Sequence, residues 1–222
     1  MRRTLWKRTW TALAVALLTL SGGYAHGVPA APSDTMEQDI DVAVQGVDAF
    51  WKQHWSEYFT GTYSSPRVVG LYDGTSPDAP TCGGQKLDAG NASYCVPEDY
   101  VAWDAGLMTE GYQTGDVYVY FIVAHEWGHA VQSRLDVRLQ DVSKELQADC
   151  LGGAGLKGAE RDGTIIFETG DVKELAQAIT SLSDALPWTK VGDHGNASQR
   201  INAFDRGLSE GVGGCLPLAA PR

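Results

Sequence analysis

The longest internal run of hydrophobic positions lies near the middle of the chain, from Asp116 to Gln132, and few of its side chains are polar. A helix that is apolar on all sides belongs in a protein core. The β-branched residues at 117–123 would also suit a buried strand, because periodicity alone does not separate the two. We favour a buried helix that begins at Thr114 or Asp116 and ends at Leu135.

Further elements follow from the same kind of pattern. Apolar residues between Ile40 and Trp51 recur at helical spacing and predict a helix from Asp39 to Phe59. A loop rich in Gly, Pro and Asp follows at 73–92. The other predicted elements are strands at Arg67–Tyr72, Tyr94–Val96 and Tyr100–Trp103, and helices at 141–156, 171–183 and 196–209. Strands and helices in separate groups predict the α+β class.

The central helix carries a cluster of ionisable residues, His125-Glu126-Trp127-Gly128-His129. Positions i and i+4 share one helix face, so His125 and His129 can direct two imidazole nitrogens at one point. HExxH on a helix is typical of zinc hydrolases, in which the glutamate is the general base. The alternative is a pair of core histidines bonded to carbonyl groups. A metal is favoured because unpaired polar groups are costly to bury.

A second predicted helix, from Asp141 to about Leu156, supplies candidates for the rest of the site. Catalytic zinc has three protein ligands, and Glu145 is the best third one. Asp149 follows four residues later on the same face. Histidines that bind zinc usually donate their other N–H group to a carboxylate, which is the role predicted for Asp149. The alternative is an exposed helix with ordinary acidic residues.

The segments HEWGHAVQ and ELQADC resemble the bacterial family of putative neutral zinc metallopeptidases. Residues 93–99 (SYCVPED), His194-Gly195, 198–200 (SQR) and Phe204 extend the resemblance, which spans roughly Phe50 to Leu208. Val96 departs from the pattern because it separates Cys95 from Pro97. The resemblance implies zinc, peptidase activity and a zincin-like single domain with a buried HExxH helix, a second ligand helix and a small sheet.

The expected mechanism is metal-assisted hydrolysis of a peptide bond. Zinc lowers the pKa of its water to about 7, and Glu126 takes the water proton and passes it to the leaving amine. The resemblance implies that His194 donates to the transition state, as a downstream histidine does in related enzymes; the alternative is a simple turn before a helix. We also expect Tyr100–Asp104 to be an edge strand to which an extended peptide adds.

The N-terminus predicts export. Residues 1–30 read as a secretory signal peptide, with four basic residues, an apolar stretch at 9–20 and small residues near a cleavage site at 27–30. That stretch is shorter than the ~20 residues that span a bilayer. An uncleaved anchor is the alternative. A flexible leader at 31–38 would precede the metallopeptidase domain at 39–222, and the mature protein would be secreted.

The four cysteines agree with export, because an even number in an exported chain suggests two disulfides. Three pairings are possible, and the sequence does not choose between them. Local pairing of Cys82 with Cys95 would leave Cys150–Cys215 to tie the second ligand helix to the C-terminal tail. A zinc site made of thiolates is the alternative, although the chain lacks a CxxC motif.

Charge and motif together limit the function. A net charge of −11 argues against nucleic acid, whose binding needs a basic surface. We expect a peptide or protein substrate, no membrane association after signal cleavage and a monomer. The leading hypothesis is a secreted zinc endopeptidase. The alternatives are a non-catalytic, zinc-stabilised binding domain and a zinc hydrolase that acts on cell-wall peptides.

Overall fold

A computed structural model describes residues 34–190 and 192–217. The predicted signal peptide and residues 31–33 of the leader lie outside them. Six α-helices and a small mixed sheet form an α+β domain, as predicted. The elements are α1 (Met36–Tyr58), β1 (Arg67–Tyr72), β2 (Thr81–Cys82), β3 (Gln85–Lys86), β4 (Ala92–Cys95), β5 (Tyr100–Asp104), α2 (Ala105–Tyr112), α3 (Val117–Arg134), a 3-10 turn (Val137–Leu139), α4 (Lys144–Arg161), α5 (Asp171–Ser181) and α6 (Ala197–Gly214).

Helix α1 begins three residues before the start predicted from its hydrophobic pattern. Thr35 caps the helix by accepting a hydrogen bond from the backbone N–H of Gln38, whose side chain accepts one from the N–H of Thr35. This reciprocal capping box satisfies two backbone donors that a helix start leaves free. Residues 36–38, predicted as part of a flexible leader, are therefore the first turn of α1.

Helix α3 is the core element that the apolar run predicts, and the strand alternative is wrong. Its buried residues extend from Val117 to Gln132 and include His125 and Glu126. Glycines allow α4 to approach it closely. A Cβ at Gly128 would collide with the carbonyl oxygen of Ala148, and one at Gly152 would lie 2.8 Å from that of Ala124. The two helices that carry the predicted site are thus nearly in backbone contact.

The sheet corrects one sequence-based prediction. Its strand order is β1-β5-β4, with β5 parallel to β1 and antiparallel to β4. Tyr100–Asp104 is therefore the central strand and not an edge. All five of its residues are buried, as a strand covered on both faces and paired on both sides requires. β4 lies at the edge, and the predicted loop at 73–92 contains the short β2–β3 hairpin.

The cysteines form two pairs at disulfide distance. Cys82–Cys95 joins the β2–β3 hairpin to the end of β4, with Cα atoms 5.5 Å apart. Cys150–Cys215 joins α4 to the end of α6, with Cα atoms 5.4 Å apart. No described cysteine is left over for a thiolate zinc site. Across the two described ranges, no helix combines the length and apolar character needed to span a membrane.

We predict that the longer-range disulfide contributes more to stability. Cys150→Ala/Cys215→Ala opens a loop with a sequence separation of 65, and the chain-entropy relation gives a loss of about 4 kcal/mol in the free energy of unfolding. The matched pair Cys82→Ala/Cys95→Ala opens a separation of 13, for which the same relation gives about 3 kcal/mol. Denaturant unfolding of both variants measures these losses. Equal stability of wild type and the first variant would contradict the prediction.

Candidate metal centre

Helices α3 and α4 bring the three predicted metal ligands together. His125, His129 and Glu145 each offer a donor atom, and these atoms all lie within 4.8 Å of one another. One oxygen of Glu145 lies 3.2 Å from Nε2 of His125 and 3.3 Å from Nε2 of His129. Two imidazole nitrogens and a carboxylate oxygen that converge in this way are a donor set typical of catalytic zinc. The residues present therefore fit a zinc ion.

Asp149 lies where it can orient the first histidine. Its side chain is fully buried, and Oδ1 lies 2.8 Å from Nδ1 of His125. In the neutral imidazole that binds a metal, an Nδ1–H group that donates to this carboxylate leaves the lone pair on Nε2, on the side that faces Glu145. The structure thus places Asp149 at the ring edge opposite Nε2, the candidate ligand atom of His125, as the sequence spacing predicts.

Arg200, from α6, neutralises Asp149 inside the core. Its Nε and Nη2 donate to the two carboxylate oxygens at 2.9 and 2.8 Å, and Nη1 donates to the carbonyl of Leu182 at 2.7 Å. Burial alone would raise the pKa of Asp149, but Arg200 and His125 together lower it. Arg200 belongs to the family-like SQR segment, but the sequence alone predicts no role for it.

The ionisation of the cluster follows from mutual pairing. Burial disfavours the charged form of His125, but Asp149 and Glu145 outweigh it and raise the pKa of His125 to about 10. Burial likewise disfavours a charged Glu145, yet hydrogen bonds with both histidines hold its pKa well below the usual range. Buried ionisable groups with strongly perturbed pKa values concentrate at functional sites.

Glu126 and His194, the predicted catalytic residues, line the same open cavity of about 890 Å³ as the three candidate ligands. Nε2 of His194 lies 3.8 Å from Glu145, on a side chain that is half exposed. Asp184 supports His194: its Oδ2 accepts from the backbone N–H groups of His194 and Gly195, and its Oδ1 lies 3.7 Å from Nδ1 of His194. Asp184 therefore holds the segment that precedes α6.

The walls of the cavity differ in character. One wall is the segment 90–94, which includes most of edge strand β4. A second wall is apolar and consists of side chains from α2, α3 and the end of α5, namely Leu107, Phe121, Ile122 and Leu182. A third wall is polar and is formed at the beginning of α4 and the turn before it by Gln140 and Lys144. The metal candidates thus lie in a cleft bordered by the edge strand β4.

Comparison with known proteins agrees with this geometry. The model of the family described as putative neutral zinc metallopeptidase matches residues 24–215. The chain belongs to this family. The curated relatives include two proteins named Uncharacterized protein YpfJ, from Escherichia coli strains K12 and O6:H1, each 28% identical over 189 residues. The alignments cover 72% of this chain and 63% of each relative, so the chain spans less than two thirds of their length. No solved structure matches.

Gln132, like Arg200, is a polar residue near the site for which the sequence pattern predicts no role. It lies on the helical turn after His129. Its Oε1 lies 2.9 Å from Nδ1 of His129. The sequence feature that indicates this contact is the position of Gln132 three residues after His129, since i and i+3 are neighbours on a helix. Its partners elsewhere in the chain could not be read from that spacing.

We predict that Asp149→Asn weakens both zinc binding and the fold. Loss of the carboxylate that orients a zinc-binding histidine typically lowers affinity about 10–100-fold. The change also leaves Arg200 buried without its counter-ion, at a cost of about 3–5 kcal/mol. Chelator competition and denaturant unfolding measure the two effects. Asp205→Asn, at an exposed position of α6, is the control, and unchanged zinc affinity in Asp149→Asn would contradict the role of Asp149.

Proposed function

We propose that this protein is a secreted zinc metallopeptidase that cleaves peptide bonds within polypeptides. The observation that carries the proposal is the convergence of His125, His129 and Glu145 beside Glu126 in an open cleft. A purely structural zinc site is closed by four protein ligands, whereas a catalytic site keeps a position open. Three protein donors at a solvent-connected cavity suit the catalytic kind.

Each side chain has a distinct part in the proposed reaction. Zinc held by His125, His129 and Glu145 would supply a Lewis acid that acidifies water and polarises the scissile carbonyl. Glu126 accepts the proton of the attacking water and delivers it to the nitrogen of the leaving amine. Asp149 keeps His125 in the tautomer whose Nε2 is free to bind metal.

His194 is proposed to stabilise the transition state. Its position at the rim of the cleft lets its Nε2 reach a substrate oxygen on which negative charge develops. Asp184 holds the two backbone N–H groups at 194 and 195, which limits the movement of this half-exposed side chain. Transition-state donors are effective when they are held in place before reaction.

Strand β4 replaces Tyr100–Asp104 as the proposed docking edge for the substrate. One side of β4 pairs with β5, and residues Ala92–Tyr94 line the cleft. An extended peptide could add there as a further strand, with backbone hydrogen bonds providing affinity and side-chain pockets providing selectivity. The disulfide Cys82–Cys95 would stiffen the end of this edge.

Export of the protein is part of the proposal. Two cysteine pairs at disulfide distance suit an oxidising compartment, and cytosolic proteins rarely keep such bonds. The basic and apolar pattern of residues 1–30 supplies the corresponding signal peptide. Cleavage of that segment would release the metallopeptidase domain from its signal peptide, and we propose that the released domain acts as a monomer.

We expect Glu126→Gln to abolish most proteolysis while zinc remains bound. The amide keeps the size of the side chain but cannot accept the water proton, and loss of general-base catalysis typically costs about 10²–10⁴-fold. Hydrolysis of a fluorescently labelled unfolded protein, with zinc content measured in parallel, tests this. Glu160→Gln, near the end of α4 and outside the cleft, is the matched control.

Three outcomes of this assay would argue against the proposal. Cleavage at the wild-type rate by zinc-loaded Glu126→Gln would exclude the proposed mechanism. If wild type binds zinc but cleaves neither proteins nor cell-wall peptides, a non-catalytic zinc-stabilised binding domain becomes the better description. Cleavage of cell-wall peptides alone would identify the more restricted hydrolase.

His194→Ala should lower kcat more than it raises KM, because the proposed donor acts mainly in the transition state. Removal of one such donor costs about 10²–10³-fold in kcat. Steady-state kinetics on a short fluorogenic peptide separate the two constants. His54→Gln is the matched histidine control, since His54 pairs with Glu57 and Asp162 away from the cleft. An increase confined to KM would show that His194 only binds substrate.

A further inference from the structure

Two buried glutamines connect the second histidine of the motif to the C-terminal end of the fold. Gln132 is on α3, three residues after His129, and Gln147 is on α4, two residues after Glu145. Both side chains lie between the two helices, where they hydrogen-bond to each other. We call Gln132 and Gln147 the glutamine pair.

The partners of Gln147 fix the direction of its amide group. Its Nε2 faces two backbone carbonyl oxygens, those of Leu139 at 2.7 Å and Cys215 at 3.1 Å. Carbonyl oxygens only accept hydrogen bonds, so the NH₂ group must point towards them. The Oε1 atom of Gln147 then accepts from the backbone N–H of Asp141 at 2.9 Å and from Nε2 of Gln132 at 3.1 Å.

The direction of Gln132 follows from that of Gln147. Its Nε2 donates to Oε1 of Gln147 and also to the carbonyl oxygen of Lys144, at 2.8 Å. A reversed amide would place oxygen against oxygen at both contacts. The Oε1 of Gln132 must therefore face Nδ1 of His129, at 2.9 Å.

An amide oxygen at this distance needs a donor, so Nδ1 of His129 carries the hydrogen. In the neutral imidazole that binds a metal, the lone pair is then on Nε2, the atom that lies 3.3 Å from the oxygen of Glu145. Backbone groups thus set the amide orientations of Gln147 and Gln132, and the imidazole of His129 is the last group in this series of hydrogen bonds. The structure consequently fixes His129 in the tautomer that zinc requires.

We propose that Gln132 is the positioning residue for His129 and that Gln147 sets the orientation of Gln132. The pair does for the second histidine what Asp149 and Arg200 do for the first, but with neutral groups. Neutral amides in place of a carboxylate have an electrostatic advantage here, because a second buried carboxylate would need its own cation. This inference rests on the zinc site of the proposed function.

Two substitutions at position 132 separate positioning from packing. Gln132→Leu fills a similar volume but cannot accept from Nδ1, whereas Gln132→Glu keeps the acceptor and places its other oxygen against Lys144 and Gln147. We expect both variants to unfold at lower denaturant concentration than wild type. Zinc affinity should fall about 10–100-fold in Gln132→Leu and recover most of that loss in Gln132→Glu.

The readouts are zinc affinity by chelator competition and proton NMR of the zinc-loaded protein with ¹⁵N-labelled histidine. Wild type and Gln132→Glu should show a slowly exchanging Nδ1–H signal for His129, and Gln132→Leu should lose it by exchange with water. The matched control is Gln140→Leu, because Gln140 bonds to backbone carbonyls of Gln132 and Leu135 and not to an imidazole. It should reduce stability and leave zinc affinity and the Nδ1–H signal unchanged.

Wild-type affinity and a protected Nδ1–H in Gln132→Leu would overturn the proposal, as would equal losses of affinity in the Leu and Glu variants. If Gln132→Leu does not fold, Gln147→Leu decides: we expect a smaller loss of zinc affinity in the same direction, and no change would overturn the proposal. Zinc binding by wild type tests the proposed function separately. If wild type binds zinc, a failure of these variants refutes the glutamine pair alone.

Discussion

The close contact between α3 and α4 determines where the polar groups of the site lie. Gly128 and Gly152 let each helix backbone approach a carbonyl group of the other, at Ala148 and Ala124. At this separation the histidines of α3 and Glu145 of α4 share one point. A larger side chain at either glycine would push the helices apart and separate the donor atoms, so the glycine inside HEWGH is needed for geometry as much as its histidines are.

Burial then imposes a second requirement, which is that each ionisable group has a partner. Asp149 is fully buried, and a lone carboxylate there would be expensive. Arg200 supplies the opposite charge and His125 a further donor. Most of the favourable energy of the Asp149–Arg200 ion pair offsets the cost of removing both charges from water. The functional benefit of the pair is the orientation of the His125 imidazole.

Local spacing accounts for what the sequence could predict. The i,i+4 relations between His125 and His129, and between Glu145 and Asp149, depend only on helix geometry, and the family resemblance supported the same residues. The buried helix α3 and the α+β class also follow from pattern. Proximity of Asp149 to Arg200, 51 residues away, depends on how α6 packs on α4, and no local pattern encodes it.

The wrong prediction that Tyr100–Asp104 is an edge strand also arises because local sequence does not determine how elements pack. Tyr100–Asp104 and Ala92–Cys95 are both short runs of strand-forming residues, and strand order is a property of the assembled sheet. The complete burial of β5 identifies it as the central strand, but that burial depends on β1 and β4, which the sequence of β5 alone does not reveal. The early start of α1 has a local cause, because Thr35 and Gln38 form a capping box whose pattern is visible in the sequence.

The C-terminal helix now has a defined part in the site, although it contributes none of the candidate ligands. Arg200 near its start supports His125 through Asp149, and the carbonyl of Cys215 at its end supports His129 through Gln147 and Gln132. The disulfide from Cys215 to Cys150 attaches that end to the helix that carries Glu145. The C-terminal helix and its cap residue therefore contact the hydrogen-bond partners of both histidines, in addition to the α3–α4 contact that brings the candidate ligands together.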